Sequence, residues 1–232
     1  MVEKKEFYDN LYSKKGQGAM RPQWVYDNWF SHLLPVRTGQ ALLDIGCGTG
    51  LFLKAAASHG LKTTGLELSD SAIALARQNS PSSTLVQGVG EHLPFDDKSF
   101  DYVCCLGTLE HMADPGKGLS EIVRVAKDDA RFFIIVPNDN YLFWKLKKIK
   151  KGTAQRDFEE LKKLSEWKAF FGQGGLEVVG RIRQDRYPSK EVKIFAAKNP
   201  YRMLRRAIYK LIWLFMPLQY TYQFVFVFRK KQ

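Results

Sequence analysis

The chain predicts an α/β fold in which a mostly parallel sheet carries helices on both faces. Three observations lead there. Short apolar runs of strand length alternate with stretches of helical periodicity from residue 41 to residue 136. The first run ends in Gly46-Cys47-Gly48-Thr49-Gly50 and restarts at once as a helix from Leu51. The connections between runs are short, and strands that alternate with helices over short loops become parallel neighbours joined by crossovers.

The elements follow in order. Over 6–21, Phe7, Tyr8, Leu11 and Tyr12 precede Lys14, Lys15, Gly16 and Gly18. That pattern predicts a short helix and then a flexible segment, either a lid over a ligand or a loose lead-in. Pro22 suits a first helical position, and Trp24, Val25, Trp29, Phe30, Leu33 and Leu34 repeat at helical spacing until Pro35, as a core-facing stripe. Residues 1–38 are therefore expected to form an N-terminal helical lid or cap, and 39–232 the main domain. After the glycine turn, 51–58 continue as a helix that Gly60 ends. Residues 62–66 are a second strand with Glu67 at its carboxyl end, and Ser69 or Asp70 caps the helix of Ala72, Ile73, Leu75 and Ala76. Residues 85–87 and 102–106 supply a third and a fourth strand. Asp114 and Pro115 open the next helix, with Leu119, Ile122, Val123 and Val125 on its apolar face. The Phe-Phe-Ile-Ile-Val content of 131–136 suits a strand buried on both faces. A helix over 165–171, ended by Gly174-Gly175, leads to a sixth strand over 176–182, and the last strand is expected over 222–228.

Composition sets the outer bounds. A chain of 232 residues buries roughly 70 to 75% of its unfolded surface, so the core is not limiting. Cys47, Cys104 and Cys105 lie in the glycine turn and an apolar run, where they form no paired framework, and the opening Met-Val-Glu-Lys-Lys-Glu is not an apolar signal segment. A reducing, cytoplasmic location is the expectation. Charge divides sharply: residues 1–140 carry 14 basic and 17 acidic side chains, residues 141–232 carry 22 and 7. An anionic partner would meet the second half.

The glycine turn carries the chemistry. Gly46, Gly48 and Gly50 remove side chains from one side of the turn, so a ligand can approach the backbone closely. The dinucleotide fingerprint wants its third glycine where Leu51 stands, which disfavours a nicotinamide cofactor. Glu67, 19 residues beyond Gly48 at a strand's carboxyl end, is placed to accept from ribose hydroxyls. Glu110 and His111 follow the fourth strand directly, in the crevice where open α/β sheets hold ligands. His111 is either a general base or a packing residue.

Asp44-x-Gly-x-Gly-x-Gly resembles motif I of the class I S-adenosylmethionine (SAM) methyltransferases. Gly88-Val-Gly-Glu-His-Leu-Pro-Phe before the fourth strand and Pro137-Asn138 after the fifth are also similar to that family, over residues 40–184. The resemblance implies a Rossmann-like, seven-stranded sheet of order 3-2-1-4-5-7-6. Its last strand would be antiparallel, a place Phe224 to Phe228 would fill between strands five and six. It implies SAM as cofactor and S-adenosylhomocysteine as product. Asp44, Gly46, Cys47, Gly48 and Gly50 would serve the methionine end, Glu67 the ribose, and Gly90 and Glu91 the adenine surroundings, with Leu68 and Leu106 completing the cofactor site. Two departures stand out. Val89 replaces the aspartate that takes the adenine amino group. Gly107 replaces the first glutamate of the Glu-x-x-Glu-His metal set of the ubiquinone-pathway O-methyltransferases, leaving Glu110 and His111 as too few ligands, so no tightly bound metal is expected.

The acceptor side is expected in basic insertions at about 141–164 and 185–220. Tyr141-Leu-Phe143-Trp144 runs into five lysines between 145 and 151. Met203, Leu204, Ala207, Ile208, Leu211, Ile212 and Phe215 share one helical face, and Arg202, Arg205, Arg206 and Lys210 the other. Residues 211–228 hold no charge, but Pro217, Gln219, Thr221 and Gln223 interrupt the run, against a membrane span. Peripheral contact with an anionic membrane through the cations, Phe143, Trp144 and Trp213 stands beside the alternative of a basic acceptor pocket in a soluble protein. The function implied is methyl transfer to a small or lipid-like acceptor, with His111 as base if the acceptor atom is a hydroxyl oxygen. The alternatives are an RNA methyltransferase, suggested by the basic second half, and a non-catalytic SAM-binding, membrane-associated protein.

Overall fold

The computed structural model describes residues 2–32, 35–142, 144, 159–180, 183–184, 204, 207–208, 211–212 and 215–232. The expectations that rest on Leu33, Leu34, Phe143, the lysines of 145–151, Arg202, Met203, Arg205, Arg206, Lys210 and Trp213 lie outside these residues.

One sheet organises the chain. Its strands are β1 (Ala41–Ile45), β2 (Lys62–Glu67), β3 (Thr84–Gln87), β4 (Phe100–Leu106), β5 (Ala126–Pro137), β6 (Leu176–Val178), β7 (Arg183–Gln184) and β8 (Gln223–Lys230). The spatial order is β3-β2-β1-β4-β5-β8-β6, with β7 also on β8. The first five strands pair in parallel, and β8 runs antiparallel between β5 and β6. With β6 and β7 counted as one edge strand, this is the expected order 3-2-1-4-5-7-6. The expected continuous sixth strand is corrected to two pieces. Val178 pairs with Phe228 and Arg183 with Val225, so five steps of one chain lie along three of the other. Gly180, at a φ of +77°, marks the departure from the ladder.

Two strand ends also move. β5 starts at Ala126, paired with Phe100, because α5 (Pro115–Val125) runs straight into it. Lys127, Asp128 and Asp129 hide that start from a hydrophobic pattern, since this end of the strand faces water. β8 extends to Lys230, which pairs with Leu176.

The remaining helices are α1 (Val2–Lys15), α2 (Gln23–His32), α3 (Leu51–Ser58), α4 (Asp70–Asn79) and α6 (Leu164–Gln173). Side-chain alternation along the strands divides the core in two. Leu43, Ile45, Val103, Cys105, Ile134 and Val136 pack with Ile122 of α5 and with Trp167 and Phe171 of α6. Leu42, Cys104, Phe133 and Ile135 pack on the other face with Trp29 and Phe30 of α2 and Phe52 of α3. The expected caps hold: the Ser69 hydroxyl accepts from Ala72 N (3.1 Å) and the Asp114 carboxylate from Lys117 N (2.9 Å).

The N-terminal segment is more ordered than its glycines and lysines suggest. α1 begins at Val2, and Gly16–Ala19 form a 3₁₀ turn where a flexible segment is expected. The cause is docking onto α4. Asp9 accepts from Ser69 Oγ at 2.6 Å and from Ser71 N at 3.1 Å, and Lys5 pairs with Asp70 at 2.7 Å. These ties bring Tyr8, Tyr12 and Met20 to the carboxyl end of the sheet.

Candidate active site

The glycine turn leaves β1 at the centre of the sheet. Gly46 N and Cys47 N both donate to Leu66 O, at 2.8 and 3.1 Å, so the turn is fastened to the end of β2. Gly46, Gly48 and Gly50 have φ of +74°, +53° and +75°, a region that glycine enters without strain. The chain's own side chains lie close beside this turn. A Cβ on Gly46 would sit 2.2 Å from Thr108 Oγ1, and one on Gly48 would sit 2.7 Å from both Sδ and Cε of Met20. Cys47 instead turns its sulfur inward, beside Gly65 under α3, so only its backbone faces the turn.

Glu67 closes the opposite wall. Its Oε2 accepts from Gly48 N at 2.9 Å, while Oε1 accepts from Leu68 N at 2.9 Å and Ser69 N at 3.0 Å. Burial raises its pKa, and the three amides pull against that rise. A carboxylate offers about four acceptor sites, so one is left on Oε2. The sequence places Glu67 correctly at the strand end and misses the three amides it holds.

Asp44 lies one residue before the end of β1, only 2% exposed, and its Oδ1 has no hydrogen-bond partner. Burial first, then the charge of Glu67, raises its pKa well above the usual carboxylate range. A buried orphan acceptor is costly, about 1–3 kcal/mol, unless a donor arrives. Bare backbone beside such an acceptor fits an amino acid whose ammonium group is the donor, and the carboxylate at the β2 tip fits a sugar hydroxyl. Both are parts of a nucleoside that carries an amino acid, as SAM does.

Where adenine is expected from the sequence, Gly90 is packed so closely that a Cβ would lie 2.2 Å from Met112 Cε, and Glu91 Oε1 accepts from Ala113 N at 2.6 Å. Glu91 thus ties its loop to the segment after β4. Val89 forms an isolated bridge with His92. Leu106 and Leu68 border the crevice half-buried.

Beyond β4 a second group of polar side chains gathers. His111 Nε2 lies 3.8 Å from Glu110 Oε1 and 3.8 Å from Glu159 Oε1, all three side chains nearly buried. The backbone joins them: Glu160 N donates to Glu110 O at 2.8 Å. Burial pushes the Glu110 carboxyl up to about 8, so it holds its proton at neutral pH, and its Oε2 has no partner. The Tyr8 ring meets His111 edge-on at 6.5 Å, and Lys4 Nζ donates to His111 O. From the sheet side, Arg21 Nη2 donates to Gln223 Oε1 at 2.5 Å. A Cβ on Gly107 would stand 3.6 Å from Glu110 Oε1. Among the described residues no set of three or more His, Cys, Asp or Glu is arranged to hold a metal ion.

The sequence singles out Asp44, the three glycines, Glu67, Glu110 and His111, and names Tyr8 and Tyr12 only within a possible lid; Glu159, Met20 and Arg21, which it does not single out, come near these residues only through tertiary docking. Tyr12 carried one signal, an aromatic residue in helical phase with Tyr8.

Comparison with known proteins agrees with this geometry. A sequence profile described as a methyltransferase domain matches residues 43–134. Ubiquinone biosynthesis O-methyltransferase of Pseudomonas aeruginosa is 30% identical over 168 residues, spanning 65% of this chain and 70% of that protein. The putative methyltransferase of Haloferax volcanii, solved in complex with the Trm112 methyltransferase activator, superposes with a TM-score of 0.66 at 21% identity, covering 98% of this chain and 95% of the other. A possible histamine N-methyltransferase of Thermotoga maritima superposes over the full length of both chains with a TM-score of 0.64 at 18% identity. A phosphoethanolamine N-methyltransferase of Haemonchus contortus, solved with S-adenosylhomocysteine, gives 0.63 at 20% identity over 97% of this chain and 60% of that one. The bare glycine turn, the carboxylate at the tip of the second strand and the relatives converge: the chain belongs to the class I SAM-dependent methyltransferases.

Proposed function

We propose that this methyltransferase acts on a hydroxyl oxygen of a small or lipid-like acceptor, with His111 as the general base. The observation that carries the proposal is His111 Nε2 held between Glu110 and Glu159 at 3.8 Å each, at the carboxyl edge of β4. Bound SAM supplies an electrophilic methyl carbon on a sulfonium. What remains for the protein is to hold the acceptor in line and to take its proton, of which orientation alone is worth about 7–11 kcal/mol.

Asp44 Oδ1 would take the ammonium group of the cofactor's methionine end, with Gly46, Gly48, Gly50 and the Cys47 backbone beside it. Glu67 would use its remaining acceptor site for one ribose hydroxyl, and Gly90, Glu91, Leu68 and Leu106 would border the adenine. Nε2 of His111 accepts the hydroxyl proton. Burial favours the neutral form of Glu110, and Glu159 Oε1 lies at the same 3.8 Å from Nε2. The similarity to O-methyltransferases supports oxygen as the acceptor atom.

The test measures S-adenosylhomocysteine release with a phenol, an alcohol and an amine of matched size, for wild type and His111→Gln. Methylation of the hydroxyl probes and a loss of about 10²–10⁴ in kcat in the variant, with SAM binding intact, are expected. Methylation of the amine alone, or an unchanged rate in the variant, overturns the proposal.

A further inference from the structure

We infer that the row Leu204, Ile208, Leu211 and Phe215 is a docking surface for an anionic phospholipid bilayer. All four residues are helical, and their spacing of four, three and four places them on one narrow stripe. They are 62%, 47%, 55% and 82% exposed, and they make up four of the six exposed large hydrophobic residues described. Their neighbours fix which way the stripe faces. Ile212 and Met216 pack with Tyr141 and Trp144, while the four residues of the row stay exposed.

Charge selects the occupant. The sequence interleaves this row with Arg202, Arg205, Arg206 and Lys210, in a half of the chain with 22 basic and 7 acidic residues. An apolar row interleaved in sequence with cations complements a surface of hydrocarbon beneath anionic headgroups, the composition of helices that lie in the bilayer interface. No described helix is long and apolar enough to cross a membrane, so contact is in the plane. Each cation near such a surface strengthens binding roughly fivefold, so four give on the order of 10²–10³. The surface also adjoins the acceptor side. Tyr222 packs in the same cluster as Ile212 and Met216, and Glu159, which lies 3.8 Å from His111, is near enough to act on its hydroxyl. A lipid-borne acceptor would have a short path from bilayer to His111. The docking itself does not rest on the proposed chemistry.

Sedimentation with vesicles tests it. The full chain is expected to bind vesicles of phosphatidylcholine containing about a third phosphatidylglycerol, and to bind pure phosphatidylcholine at least about tenfold more weakly, with high salt removing the difference. Leu211→Ser with Phe215→Ser should weaken binding about tenfold or more while SAM titration heats stay unchanged, which separates docking from folding and from catalysis. Three results overturn the inference: no binding to anionic vesicles, equal binding by the double variant, or a wild-type dimer that the variant turns into a monomer without any vesicle binding.

Discussion

Glu110→Gln isolates the most perturbed carboxyl of the acceptor site. Glu110 is 2% exposed, and burial moves its pKa from 4.5 to about 8. A group whose folded pKa is raised binds its proton more tightly in the native state. The folded protein is therefore favoured below pH 4.5 and loses that advantage as pH rises to 8. A shift of this size at 1.36 kcal/mol per unit amounts to about 5 kcal/mol, an upper figure because water can enter and relax the site. Glutamine keeps the shape and has nothing to titrate. Urea unfolding of both proteins between pH 5 and pH 9 reads the effect as a difference, which cancels every other titrating group. The stability of wild type minus that of the variant should fall from pH 5 to about pH 8, by several kcal/mol, and level off above that. A difference that stays level, or that grows with pH, refutes the burial argument.

Two further substitutions separate fold from site. Gly48→Ala places a Cβ 2.7 Å from Met20 and 3.0 Å from the Tyr12 hydroxyl at a φ of +53°. The left-handed backbone alone costs about 1–2 kcal/mol, and SAM affinity should fall about tenfold or more, as read by urea unfolding and calorimetry. Asp114→Ala removes the cap that accepts from Lys117 N, at a cost of about 1 kcal/mol in thermal unfolding, and should leave SAM affinity unchanged.

What could be read from the sequence was local. The glycine turn and Glu67 announce themselves because strand, turn and acid follow one another within a single crossover. Asp114-Pro115 marks a helix start for the same reason. β8 and its antiparallel place between strands five and six came from the resemblance, which left Phe224 to Phe228 to fill the seventh strand. The start of β5 was not legible, because its first residues are polar and exposed. Nor was Glu159, whose role depends on the chain returning to Glu110 through a backbone bond from Glu160. α1 was underestimated because its order comes from Asp9 meeting Ser69 and Ser71 rather than from its own sequence.

Titration calorimetry of SAM into wild type, Asp44→Asn and Glu67→Ala bears most directly on the idea that the turn after β1 and the tip of β2 together hold the cofactor. Wild type should bind one equivalent. Asp44→Asn replaces half of the acceptor with a donor facing an ammonium group, and Glu67→Ala strands the amides of Gly48, Leu68 and Ser69, so each should weaken binding about tenfold or more. Folded variants that bind SAM as tightly as wild type would contradict it.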